Sequence, residues 1–92
     1  MPGRPVRDEG GHVPSYLLQH HHESRDCGVV FAAFRGYESP LRHRPALASC
    51  ASGGHAIWWT VEAAGEELAL AVLPPFVAAR TTATEVNEVE IP

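Results

Sequence analysis

Ninety-two residues suffice for one domain and are too few for two, and a chain this short buries a modest core, so a staple or a second subunit is expected. A composition of 45% hydrophobic and 20% charged residues is that of a globular protein. The net charge of -4 and the pI near 5.8, with no zinc-finger or RNA-binding signature, argue against nucleic acid as a partner.

Residues 1–13 are rich in Gly, Pro and charge and read as a disordered arm, leaving 14–92 as a single domain. The first residues carry no apolar stretch of the signal-peptide kind. The longest apolar run, Leu68 to Ala79, is too short for a bilayer and is broken by Pro74-Pro75. A soluble cytoplasmic protein without a membrane partner is expected, with Cys27 and Cys50 as thiols rather than a disulfide framework.

Tyr16 to His22 reads as a first strand, apolar on both faces at Leu17 and Leu18, which suits a central position. Ser24 has the chemistry of an N-cap for a helix over 25–35. Its stripe is Cys27, Val30, Phe31 and Phe34, and Gly36 and Pro40 end it. Residues 37–45 form a loop. Leu47 to Ala51 is a short second strand, Ser52-Gly53-Gly54 is a hairpin signal, and His55 to Glu62 is the clearest strand of all. Ala63 to Leu73 is a second helix stopped by Pro74-Pro75, and Phe76 to Arg80 adds an irregular turn. Thr82 to Ile91 closes the chain as a strand, with a bulge implied by the spacing of Val86, Val89 and Ile91.

Strand, helix, strand, strand, helix, strand is a βαββαβ order. With right-handed crossovers it predicts an α+β, ferredoxin-like fold: an antiparallel sheet of order 4-1-3-2 with two helices on one face. The other face is then bare. Trp58 or Trp59 must point to it, because neighbours in a strand alternate, and a bare face bearing a tryptophan predicts a homodimer or a ligand.

Gly54-His55, the strand through Val61, the helix with Leu68, Val72 and Leu73, and Pro74-Pro75-Phe76 resemble small ferredoxin-like proteins that dimerise through their sheets as dimeric α/β barrels. Muconolactone isomerases, YCII-related proteins and a nickel-binding actinobacterial protein belong to that group. The resemblance covers less than half the chain. It implies the fold and the dimer, and it carries over no catalytic residue.

The residues that bear chemistry are histidines and cysteines. In the 4-1-3-2 order the end of the first strand lies beside the start of the third. His20, His21, His22, Cys27, Cys50 and His55 then share one edge of the domain, with Thr82 and Thr84 at the same end. Imidazole and thiolate are good ligands for zinc, nickel or copper, and His20 and His22 share a strand face and can chelate together. The spacing matches no closed zinc motif, and solvated or hydrogen-bonded histidines are the plainer reading. Arg35, Arg42, His43 and Arg44 form a basic patch that either binds a carboxylate or phosphate or pairs with the acidic tail. Trp58 and Trp59 are core or interface anchors, or the wall of an apolar pocket.

Three readings follow. The foremost is a small dimer that binds an organic molecule in a sheet-to-sheet cavity, as an isomerase-like or accessory enzyme. His20, His22 or His55 would transfer protons there, and Trp58, Trp59, Arg42 and Arg44 would contact the ligand. The second is a metal-binding protein built on the histidine cluster, and the third an interaction module without chemistry.

Overall fold

In the computed structural model residues 13–92 are described, and all of the expected arm except Val13 lies outside them. The chain forms β1 (Ser15–His21), α1 (Cys27–Ala33), β2 (Leu47–Ala48), β3 (Ala56–Glu62), α2 (Glu66–Leu70), α3 (Pro75–Ala78) and β4 (Thr81–Val86). Two single 3-10 turns, Ser24–Asp26 and Cys50–Ser52, precede α1 and β3. The architecture is α+β. A four-stranded antiparallel sheet has the order β2-β3-β1-β4, which from its other edge reads 4-1-3-2.

Period-two alternation builds the core. Along β1 the buried residues are Tyr16, Leu18 and His20. Leu18 lies opposite Trp59 and Ala83, and His20 opposite Ile57 and Thr81, so these side chains share one face of the sheet. The helical segments cover that face with Val30, Ala69, Leu73 and Val77, all buried in the same cluster. Burying side chains of this size contributes about 1.5–3 kcal/mol each. The set is small: eight buried hydrophobic residues among those described, two of them alanines. A core of that size gains much from a staple.

Leu17, Gln19 and Trp58 occupy the opposite face, joined at the edge by Leu47, which is 74% exposed. Of the two tryptophans it is therefore Trp58 that points away from the helices, and no helix among the described residues covers it. Leu17 is only half-buried, so the second apolar side expected of β1 has no cover of that kind.

Several element ends differ from the sequence expectation, each for a local reason. Ser24 makes no side-chain cap. The chain instead enters through a 3-10 turn, with Asp26 N–H donating to the Glu23 carbonyl at 2.8 Å, and α1 begins at Cys27. β2 is only two residues long: Ser49 N–H still donates to the Ala56 carbonyl at 2.8 Å, but the Ser49 carbonyl accepts the Ser52 N–H at 3.0 Å and turns the chain. The helix expected over 63–73 is α2 followed by a tighter turn, and Pro75 then opens α3 as its first residue. β4 ends at Val86 because its partner β1 begins there, opposite Val86 at Ser15. Val89 and Ile91, expected in the strand, lie beyond it and are exposed.

Candidate metal centre

His22 follows the last residue of β1 and continues its inward-facing row from His20. Its N–H donates to the His55 carbonyl at 3.1 Å, which extends the β1–β3 pairing by one residue and sets the two histidines side by side. The 3-10 turn over Ser24–Asp26 then folds the chain back and delivers Cys27 at the start of α1. Cys50 arrives on the other 3-10 turn. Gly53 closes that turn in the left-handed region, at φ 87°, where glycine is unstrained. A side chain at Gly54 would run into Ser49, whose hydroxyl accepts the Ala56 N–H at 3.1 Å. His55 follows with φ 53°, an uncommon conformation for a non-glycine residue and of the kind that gathers at functional sites.

Four donor atoms converge there. His22 Nε2 lies 3.3 Å from Cys27 Sγ and 3.4 Å from Cys50 Sγ, and Cys27 Sγ lies 3.4 Å from His55 Nδ1. All four ligand atoms fall within 4.8 Å of one another. A tetrahedral zinc with bonds of about 2.3 Å to sulfur and 2.0–2.1 Å to nitrogen holds adjacent S and N atoms about 3.6 Å apart. The three sulfur–nitrogen separations of 3.3–3.4 Å lie within about 0.2–0.3 Å of that value, and the widest pair of the group, within 4.8 Å, closes by about 1 Å to reach it. The His2Cys2 group is thus positioned to hold a metal ion such as zinc.

Hydrogen bonds fix which imidazole nitrogen is free. Thr81 donates its hydroxyl proton to the Val77 carbonyl at 2.6 Å. His20 Nδ1 lies 3.3 Å from that same carbonyl and 3.1 Å from the Thr81 oxygen. Both oxygens are left to accept, so Nδ1 of His20 carries the proton and its Nε2 is the acceptor. His22 Nδ1, 3.1 Å away, must then donate, which leaves His22 Nε2 with its lone pair aimed at the two thiols. This is the arrangement an outer hydrogen bond imposes on a metal-ligating histidine. Burial, and after it the neighbouring imidazole charge, lowers the pKa of both His20 and His22, so both rings favour the neutral form this network requires. Burial, and then the adjacent Cys50 thiol, raises the pKa of Cys27. A divalent cation held there would favour the thiolate instead.

The expected cluster is thus present in part. His22, Cys27, Cys50 and His55 meet. His20 does not reach them and contacts His22 instead. His21 points to the other face of the sheet, is exposed, and lies 3.2 Å from the Gln19 amide. The histidines proposed for proton transfer do form one group, with ring centroids 5.1 Å apart for His20–His22 and 5.7 Å for His22–His55. Thr81 is the threonine that joins it, whereas Thr82 and Thr84 alternate to the opposite face. Trp59 stands inside, its ring 6.3 Å from His20 and 6.1 Å from Phe34. It helps to line a cavity of about 520 Å³ together with Arg42 and Arg44, while Trp58 lies on the far side of the sheet. The roles of Val77 and Thr81 carry no sequence signal. One signal was present for the ligands: His22 and Cys27 are separated by four residues, and so are Cys50 and His55.

The chain matches no protein-family model, no curated protein and no solved structure. Among the described residues no helix is long and apolar enough to cross a membrane.

Proposed function

We propose that this protein is a zinc-binding domain whose His2Cys2 centre is structural. The observation that carries the reading is the convergence of His22 and Cys27 with Cys50 and His55, from two separate stretches of the chain, with their donor atoms within 4.8 Å. Two thiolates and two imidazoles are the donor set of closed zinc sites, and nickel favours square-planar geometry with nitrogen and oxygen ligands. All four positions are filled by the protein, so no position remains for a substrate, which favours a staple over a catalytic metal. The ion would tie the end of β1 to the start of α1 and to the turn before β3, in a domain whose apolar core is small.

The ferredoxin-like assignment and the sheet-to-sheet homodimer belong to the same proposal. They are supported by the strand order and by the unshielded face bearing Leu17, Leu47 and Trp58.

Metal analysis of the purified protein tests the reading. One zinc per chain is expected, and cobalt in its place should show the intense visible bands of a tetrahedral sulfur-bearing site. Cys27→Ser with Cys50→Ser should lose the metal and the chelator-sensitive part of the thermal stability. A wild-type protein that takes up no stoichiometric metal and melts alike with and without chelator removes the proposal.

A further inference from the structure

The helix-covered side of the sheet holds the cavity of about 520 Å³, between α1, the 37–46 loop and the β2–β3 edge. None of the four metal-group side chains lines it. Its apolar walls are Phe31, Phe34, Leu41, Ile57 and Trp59. Its polar lining is Arg35, Arg42, His43 and Arg44. No Asp or Glu contributes among the described residues, although the chain as a whole carries a net charge of -4. A cavity that gathers three of the seven arginines and no carboxylate is therefore a local reversal of the protein's charge.

The walls and lining are built to different ends. Phe31 is 57% exposed, a large apolar side chain left open to water at the cavity. The loop that carries the arginines is set in tight turns: Leu41 N–H donates to the Ser39 hydroxyl at 3.1 Å, and Arg44 N–H to the Leu41 carbonyl at 3.3 Å. His43, between the two arginines, adopts φ 67°, a conformation uncommon outside glycine. The ion pair recorded among the described residues joins Arg25 to Glu23 and involves none of the cavity's arginines. A guanidinium fork pairs with a carboxylate through two parallel hydrogen bonds, and aromatic walls select a flat apolar body.

We infer that this cavity binds a small aromatic carboxylate, its ring system against Phe31, Phe34 and Trp59 and its anionic group at Arg42 and Arg44. The volume falls within the range of small-molecule sites, roughly 300–1,000 Å³. It accommodates a two-ring body.

Calorimetric titration of the full-length protein with 2-naphthoate, and with the neutral 2-naphthamide of the same shape, tests the assignment. The naphthoate should bind with a dissociation constant of about 1 mM or tighter, as expected for a ligand of this size. The amide should bind at least about tenfold more weakly, the loss expected when a charge-assisted hydrogen bond is removed. Arg42→Gln with Arg44→Gln, at exposed positions, should weaken the naphthoate about tenfold or more. Arg25→Gln, away from the cavity, should leave it unchanged. Equal affinity for acid and amide, an unchanged constant in the double variant, or no saturable binding up to the solubility limit would each overturn the assignment.

Discussion

Replacing His20 with phenylalanine isolates the hydrogen-bond chain behind the metal group. His20 is fully buried and contributes no ligand atom, yet its Nε2 accepts the only hydrogen bond recorded for His22 Nδ1 among the described residues, at 3.1 Å. Phenylalanine keeps an aromatic ring in the same core and removes that acceptor. It also removes the bond to Val77, but the Val77 carbonyl keeps its 2.6 Å bond from Thr81, so the damage centres on His22. A buried donor left without a partner costs about 1–3 kcal/mol. Here the cost takes the form of a freed ring: His22 loses both its fixed tautomer and its orientation. Loss of such an outer partner weakens metal binding about 10–100-fold, or about 1.4–2.7 kcal/mol. His20→Gln should recover most of the loss, because its amide oxygen can accept from His22 at about the same reach. The assay is competition for zinc against a chromophoric chelator near neutral pH, run on wild type and both variants with Cys27, Cys50 and His55 intact. Wild-type affinity in His20→Phe would refute the relay, and so would a glutamine variant as weak as the phenylalanine one.

Three further outcomes can be measured. In the metal-free protein His20 and His22 have pKa values below the ordinary 6.5, so between those lowered values and 6.5 the unfolded chain binds more protons than the folded one. Chemical denaturation should find the metal-free stability highest above pH 6.5 and falling as the pH drops through that window; a flat profile would contradict neutral buried imidazoles. Gly54→Ala should destabilise by about 1–3 kcal/mol through overlap with Ser49, and adding Ser49→Ala should recover part of it, read by paired thermal melts. A homodimer through the unshielded sheet face should run in light scattering at twice 10.0 kDa, and Trp58→Glu should convert it to monomer without loss of bound zinc; a wild-type monomer at tens of micromolar sinks that part of the proposal.

The periodic parts of the chain were legible directly. Alternation of Ile57, Trp59 and Val61 with Ala56, Trp58 and Thr60 announces one strand, because successive side chains in a strand face opposite ways whatever surrounds them, while the first strand is read from a short segment apolar on both faces at Leu17 and Leu18. The order of elements, with the preference for right-handed crossovers, then leads to the β2-β3-β1-β4 sheet and brings the end of β1 to the start of β3. That is why the histidines at the end of β1 were expected near His55, with the one that meets it left to the register. Element ends were less legible, because they depend on partners: β4 stops where β1 begins, and β2 stops where the Ser49 carbonyl accepts the Ser52 N–H and turns the chain.

Membership of the metal group lay beyond local pattern. His20, His21 and His22 are chemically identical neighbours, and strand periodicity separates His21 from the other two but cannot choose between those two. The choice is made by distance in space. His20 is enclosed by Val77, Thr81 and Ile57 and spends its nitrogens on hydrogen bonds, while His22, one step beyond the strand, meets the thiols. The mirrored four-residue intervals between His22 and Cys27 and between Cys50 and His55 mark two half-sites in the sequence. What joins them is the antiparallel pairing of β1 with β3, a long-range contact whose register arises from the packing of one face of the sheet against the helices.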